Sequence, residues 1–70
     1  MKILAERLLH LRKEKNLRQE DVSIGIGVSF NSYCRYEHDE REPTAPTIVA
    51  MADFFGVSAD YLLGRRDERL

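Results

Sequence analysis

The sequence predicts an all-α protein, a compact bundle of five short helices around one core. Two observations support this fold class. Apolar residues recur three and four positions apart, as they do along one face of a helix. Residues that cap or end helices (glycine, asparagine, serine and threonine) separate these apolar segments at short intervals. Each helix can therefore be assigned in order along the chain.

The first helix is predicted over residues 2–15, and Asn16 is expected to end it in the left-handed conformation. The second is predicted over residues 18–26, although Gly25 within it costs about 1 kcal/mol relative to alanine. We therefore expect the second helix to depend on packing against its neighbours. Gly27 is expected to end it, again in the left-handed conformation. The apolar face of the first helix consists of Ile3, Leu4, Leu8 and Leu11.

The third helix is predicted over residues 30–37, with Ser29 as its cap. Tyr33 and Tyr36 lie three positions apart, so both are expected to face inward. With the second helix and the turn at Gly27, this helix forms a helix-turn-helix, and its size suits the major groove of DNA. The residues left facing outward carry groups that hydrogen-bond or stack: Phe30, Asn31, Ser32 and Arg35.

The fourth helix is predicted to begin after Thr44, where Pro46 is tolerated in the first turn, and to end at Gly56. A fifth helix is predicted over residues 59–63, and the polar residues 65–70 are expected to fray. The sequence thus predicts one helix-turn-helix domain over residues 1–64 and a polar C-terminal tail over residues 65–70.

Composition excludes several classes of protein. The chain is 33% charged, and no apolar run approaches the ~20 residues that a membrane-spanning helix requires. Glu6 and Arg7 interrupt the apolar residues near the N-terminus, so no secretory signal is predicted. Cys34 is the only cysteine, which excludes an internal disulfide and suits the reducing cytoplasm. No catalytic constellation, metal-ligand set or phosphate-binding loop is present, so we predict no enzyme, no metal and no cofactor.

The charge balance is unusual for a protein that binds nucleic acid. The net charge is −1 and the sequence pI is about 6.1, but the location of charge matters more than its sum. Five basic residues lie in or beside the outward surface of the helix-turn-helix: Lys13, Lys15, Arg18, Arg35 and Arg41. Five acidic residues lie close to the same surface: Glu20, Asp21, Asp39, Glu40 and Glu42.

Five short segments occur in order along the chain: Leu17-Arg18-Gln19-Glu20, Gly27-Val28-Ser29, Arg35-Tyr36-Glu37, Arg41-Glu42-Pro43 and residues 55–64, Phe-Gly-Val-Ser-Ala-Asp-Tyr-Leu-Leu-Gly. In these segments the chain closely resembles the phage-repressor/Cro family of bacterial helix-turn-helix regulators. The resemblance covers residues 2–64 and implies a five-helix, lambda-repressor-like fold. It also implies binding to a double-stranded DNA operator, usually as a homodimer on a near-palindromic site.

The resemblance also implies roles for individual residues. Gln19, at the start of the second helix, is expected to contact a phosphate and to steady the third helix. Arg12 and Glu37 are expected to form a structural ion pair between the first and third helices. His38 and Arg41 lie in the loop where the family contacts phosphates. The complete set of predicted DNA-binding residues is Arg18, Gln19, Ser29, Phe30, Asn31, Ser32, Arg35, His38 and Arg41, with base readout assigned to Phe30, Asn31 and Arg35.

Three of these residues have alternative interpretations. Phe30 either contacts a base, through a thymine methyl, or folds back as an aromatic at the core edge. Arg35 either binds DNA or is a solvated side chain paired with Asp39, an acidic residue that would repel phosphate. Gln19 either contacts phosphate or only solvates the helix terminus.

The sequence therefore predicts a transcriptional regulator, a repressor that occupies an operator as a dimer with the helix over residues 30–37 in the major groove. The alternative is an antitoxin-like or adaptor module that binds a protein partner and binds DNA weakly. Exposed Ile24, Phe30 and Phe54 would favour that alternative. Four further apolar residues either form a dimer patch or are scattered on the surface: Val49, Phe54, Tyr61 and Leu63.

Overall fold

The structure is a computed structural model that describes all residues from 1 to 70, and it contains five helices and no strands. The all-α prediction is confirmed, and the predicted bounds agree to within one residue. The helices are α1 (Lys2–Glu14), α2 (Gln19–Ile26), α3 (Phe30–Glu37), α4 (Ala45–Phe55) and α5 (Ala59–Leu62). None of them is long and apolar enough to cross a membrane.

The ends of the helices follow the local sequence. Asn16, with φ of 56°, Gly27, with φ of 76°, and Gly56, with φ of 69°, adopt the left-handed conformation that was predicted for the first two. This conformation lets the last turn of a helix close its backbone hydrogen bonds before the chain changes direction. Three hydroxyl groups cap the following helices by accepting a backbone N–H three residues on: Ser29 from Ser32, Thr44 from Thr47 and Ser58 from Tyr61.

One core joins all five helices. Its fully buried side chains come from α1, α2, α3, α4 and α5, and they place α3 against both α1 and α2. Tyr33 is completely buried, so α3 is attached to the bundle by an aromatic side chain and not by the aliphatic residues common in cores. The largest fully buried side chains are Tyr33, Leu8, Leu11, Met51, Leu62 and Val22.

Gly25 explains how α2 tolerates a glycine in its interior. A side chain at Gly25 would overlap the ring of Phe54, so the glycine allows α4 to approach α2 closely. Phe54 in turn packs edge-to-face on Phe55, with ring centroids 5.1 Å apart. The expected dependence of α2 on packing thus has a specific cause, which is the contact between Gly25 and Phe54.

The residues after α5 do not fray as expected but fold back over α1. Arg69 forms a two-pronged ion pair with Glu14, at 2.7 and 2.9 Å. Arg7 donates to the carbonyl of Arg66 at 2.7 Å and to the carbonyl of Tyr61. The sequence prediction of fraying was wrong because it weighed only the polarity of the tail and not its partners on α1.

Three of the four apolar residues that were expected at the surface near α4 and α5 are buried or half-buried. Val49 is 54% exposed, but Phe54 is half-buried against the core. Tyr61 is buried, with the guanidinium of Arg7 stacked 4.1 Å from its ring centroid. Leu63 is half-buried. Of these four side chains, only that of Val49 is therefore mostly exposed to solvent.

Candidate nucleic-acid interface

The two helices of the helix-turn-helix pack through small and aromatic side chains. Ser23 on α2 is buried and its hydroxyl donates to the carbonyl of Glu20 at 2.8 Å, so its polarity is satisfied locally. Ile26 on α2 is buried, as are Tyr33 and Tyr36 on α3. The prediction that the two tyrosines face inward is confirmed, and the opposite side of α3 is left on the surface.

That surface carries the residues assigned to base readout. Phe30, Asn31 and Arg35 are all exposed, and by helical periodicity they share less than half of the circumference of α3. Ser29 and Ser32 lie beside them and bond to each other, with a distance of 2.9 Å between the two hydroxyl oxygens. The structure therefore brings these five predicted residues together at one exposed side and end of α3.

The structure removes one alternative each for two residues, the folding of Phe30 onto the core and the pairing of Arg35 with Asp39. The ring of Phe30 is 53% exposed and does not fold back onto the core. Arg35 is exposed and makes no ion pair, while Asp39 contacts the amino group of Met1 at 3.0 Å. The alternative in which Asp39 neutralises Arg35 is therefore not what the structure shows.

The last turn of α3 is anchored by a buried carboxylate. Glu37 accepts two hydrogen bonds from Arg12 of α1, one from Nε at 2.7 Å and one from Nη2 at 2.9 Å. Arg12 also donates to the carbonyl of Leu17 at 2.9 Å, which ties in the turn before α2. The side chain of Glu37 is only 2% exposed, so this pair connects α1, α3 and the intervening turn in a water-poor environment.

The ionisation of this cluster follows from burial and hydrogen bonding. Burial opposes the charged form of Glu37, but the hydrogen bonds from Arg12 and Gln19 outweigh it and hold the pKa of Glu37 below its ordinary value. The carboxylate raises the pKa of Arg12. Burial, reinforced by the nearby charge of Glu37, raises the pKa of Tyr33 well above its ordinary value. The cluster therefore contains one ionised carboxylate, one guanidinium and one neutral phenol at neutral pH.

Gln19 belongs to this cluster as well, and its contacts with α3 agree with the expectation that it steadies the third helix. Its amide Nε2 donates to Glu37 at 3.1 Å, and its Oε1 accepts a hydrogen bond from the half-buried thiol of Cys34 at 3.3 Å. Both ends of the amide thus have partners on α3. An amide nitrogen carries two N–H groups, so one donor of Gln19 is not accounted for by the contact with Glu37.

The remaining predicted residues lie around the edge of this surface. Arg18 precedes α2 and is exposed, but it pairs with Asp21 at 3.0 Å and contacts Glu20 at 3.6 Å. Its charge is therefore partly balanced within the chain. His38 and Arg41 are exposed in the loop after α3, which turns through Asp39 in the left-handed conformation, with φ of 59°. Asparagine and aspartate tolerate this conformation better than most residues, which is a signal that the sequence analysis did not use.

Comparison with known proteins identifies the family. A family model described as Helix-turn-helix matches residues 8–62, which include most of α1, all of α2 to α4 and all of α5. The chain belongs to this helix-turn-helix family. The matched residues include all of α3 and the cluster around Glu37.

Curated relatives of this helix-turn-helix chain are bacterial and phage-derived. It is 43% identical over 62 residues to the cryptic phage CTXphi transcriptional repressor RstR of Vibrio cholerae serotype O1, a match that covers 89% of this chain and 55% of that protein. It is 36% identical over 63 residues to the uncharacterized HTH-type transcriptional regulator YobD of Bacillus subtilis, covering 90% of this chain and 56% of that protein. The chain spans about half the length of the curated relatives it matches.

Two solved structures of the P22 c2 repressor share the fold. The solution structure of its DNA-binding domain has a TM-score of 0.81 and 32% identity, and the match covers 86% of this chain and 79% of that one. The crystal structure of the P22 c2 repressor in complex with a synthetic operator has a TM-score of 0.81 and 30% identity, covering 84% of this chain and 89% of that one. The five-helix helix-turn-helix fold is therefore shown by sequence and by structure.

Proposed function

We propose that this chain is the DNA-reading domain of a transcriptional repressor, which acts by occupying a double-stranded operator. The observation that supports this most strongly is the division of α3 into two sides. Tyr33 and Tyr36 are buried beneath the helix, while Asn31 and Arg35 are exposed and Arg35 makes no ion pair. Amide and guanidinium groups so placed can read adenine and guanine edges in the major groove.

The surrounding residues fit the contacts that would position α3 on the duplex. Arg18, His38 and Arg41 are exposed at the edges of the surface, where basic and imidazole groups can meet phosphates. The start of α2 adds backbone N–H groups, and Gln19 has an amide donor beside them. The similarity to a repressor whose structure contains a synthetic operator supports the same docking. The proposed role is binding rather than catalysis, and its place is the cytoplasm.

The proposal includes a homodimer on a near-palindromic site. A single helix-turn-helix places few side chains on bases, and regulators of this architecture use two half-sites about one helical turn apart. Dimer formation would double the contacts without changing the domain.

The experiment is selection of bound sites from random duplexes, followed by fluorescence anisotropy on the enriched site at ~50 and ~200 mM salt. We expect one recurrent sequence with two half-sites. We also expect the affinity to fall steeply with salt. The logarithm of the binding constant should decrease with the logarithm of the salt concentration, with a slope of about −0.9 for each phosphate that the protein neutralises. Absence of any enriched sequence would exclude sequence-specific binding. A selected sequence with a single half-site and no inverted repeat would exclude the dimer. DNA binding by a single copy of the chain would still be supported.

One observation favours a second candidate, an adaptor or antitoxin-like module that binds a protein. Ile24 on the outer side of α2 is 74% exposed, and acidic Glu20 lies one turn before it. The same anisotropy measurement separates the two functions. A protein-binding module would show little DNA binding even at low salt, where electrostatic attraction to any duplex is strongest.

A further inference from the structure

The side chain of Phe30 has a position that the fold does not require. It is the first residue of α3, directly after the cap residue Ser29, and its ring is 53% exposed. The attachment of α3 to the bundle comes from Tyr33 and Tyr36, which lie on the other side of the helix. The ring of Phe30 is therefore available to contact a ligand.

The chemistry of that ligand can be derived by elimination. The first residues of a recognition helix are the ones that reach base edges in the major groove. A phenyl ring has no conventional hydrogen-bond donor or acceptor, so it cannot read the polar atoms of those edges. The apolar group that the major groove presents is the 5-methyl group of thymine. Uracil, cytosine, adenine and guanine present no such group.

From this geometry we infer that Phe30 selects thymine at one position of each half-site, by packing its ring on the 5-methyl group. Asn31 and Arg35 are exposed on the same side of α3 and carry hydrogen-bonding groups, so the apolar contact would lie beside polar side chains. This assignment rests on the proposed function, because it requires α3 to enter the major groove. It adds to that function a residue that determines specificity and the base that it recognises.

The experiment uses the whole chain and the duplex obtained by site selection. Each thymine of a half-site is replaced in turn by deoxyuridine, which removes only the methyl group and leaves the base pair intact. We expect one position at which this replacement weakens binding by about fourfold per half-site, the fold-change that corresponds to one buried methyl group. At the other positions the affinity should be unchanged.

The assignment to Phe30 is tested by a double-mutant cycle. Phe30→Ala should bind the thymine and uracil duplexes equally, because the methyl group has lost its partner. Ile24→Ala is the matched control, since it removes an apolar side chain that is 74% exposed on α2. It should retain the full preference for thymine. Thermal unfolding of both variants shows that each is folded, as expected for exposed positions.

The outcomes separate this inference from the function on which it rests. Absence of salt-dependent DNA binding by the unmodified chain would overturn both the proposed function and the role of Phe30. Specific binding with no effect of uracil at any position would overturn the role of Phe30 alone. A uracil effect that persists in Phe30→Ala would assign the methyl contact to another residue. A selected half-site without thymine would overturn the role of Phe30.

Discussion

The two ends of α3 are held in different ways. At the first turn, Ser29 caps the helix locally and Phe30 and Asn31 face solvent. At the last turn, Glu37 is buried and accepts hydrogen bonds from Arg12 on α1 and from Gln19 on α2. One end is thus anchored by two other helices, and the other is free to touch a ligand. The comparison shows how an eight-residue helix can have a fixed orientation while the side chains of its first turn stay exposed to solvent.

The largest expected effect comes from breaking the anchored end. Arg12→Met removes the guanidinium and leaves the carboxylate of Glu37 buried without a counter-charge. Loss of one partner of a buried pair costs about 3–5 kcal/mol, so the free energy of unfolding should fall by that order. Urea denaturation followed by circular dichroism measures it.

Two control variants test the reason for that loss. Arg18→Met removes an arginine from an exposed pair with Asp21, and little change is expected. The double variant Arg12→Met/Glu37→Met removes both charges and should regain much of the stability. If Arg12→Met costs no more than Arg18→Met, the buried pair does not anchor α3.

The exposed edge is tested next by Arg35→Ala. A guanidinium that donates two hydrogen bonds to guanine contributes about 1–3 kcal/mol of discrimination. The variant should therefore lose preference for one base step, measured by anisotropy on the selected site and on single-base variants of it. Arg41→Ala, in the loop after α3, should instead weaken binding to every duplex alike. A uniform loss in Arg35→Ala would reassign Arg35 to phosphate contact.

The local cap of α3 is expected to matter less than its anchor. Ser29→Ala removes the hydroxyl that accepts the N–H of Ser32 at 3.1 Å. Loss of such a cap costs about 1 kcal/mol, whereas replacement by glycine costs a few tenths. Urea denaturation of Ser29→Ala and Ser29→Gly measures this difference. A Ser29→Ala variant as stable as the wild type would show that the hydroxyl does not hold the first turn.

The smallest expected effect is a pH dependence at the anchored end. The pKa of Glu37 is lower in the folded chain than its ordinary value of 4.5. The unfolded chain therefore takes up the proton first, and the stabilisation is fully present above pH 4.5 and lost as the pH falls through the folded pKa. Denaturation between neutral and acidic pH should show a steeper loss in the wild type than in Glu37→Gln. Parallel curves would contradict this linkage.

The sequence predicted the features that depend on neighbouring residues. Gly27 and Asn16 end helices because the left-handed conformation is accessible to them, and Ser29 caps α3 because a hydroxyl lies three residues before a free N–H. The inward tyrosines followed from spacing alone. These are short-range effects, so one sequence is enough to predict them.

The errors concern contacts between distant residues. Tyr61 was assigned to an exposed patch, but Arg7 covers its ring, and the two residues are far apart in the chain. Gln19 was expected to steady the third helix, but its partners there, Glu37 and Cys34, were not predicted. No periodicity specifies which of several polar groups a long side chain will meet. Such contacts require the relative placement of whole helices, which only the packed structure provides.

Under the proposed function, the length of α3 limits how many base pairs one copy of the chain can distinguish. Its eight residues extend over ~12 Å, at 1.5 Å of rise per residue. That length is comparable to three or four base pairs, at ~3.4 Å per step. Four fully specified pairs distinguish only ~10² sequences, whereas a genome offers ~10⁶ or more competing positions. A repressor of the proposed kind would therefore need a second copy, or contacts from residues outside α3, to recognise a single site in a genome.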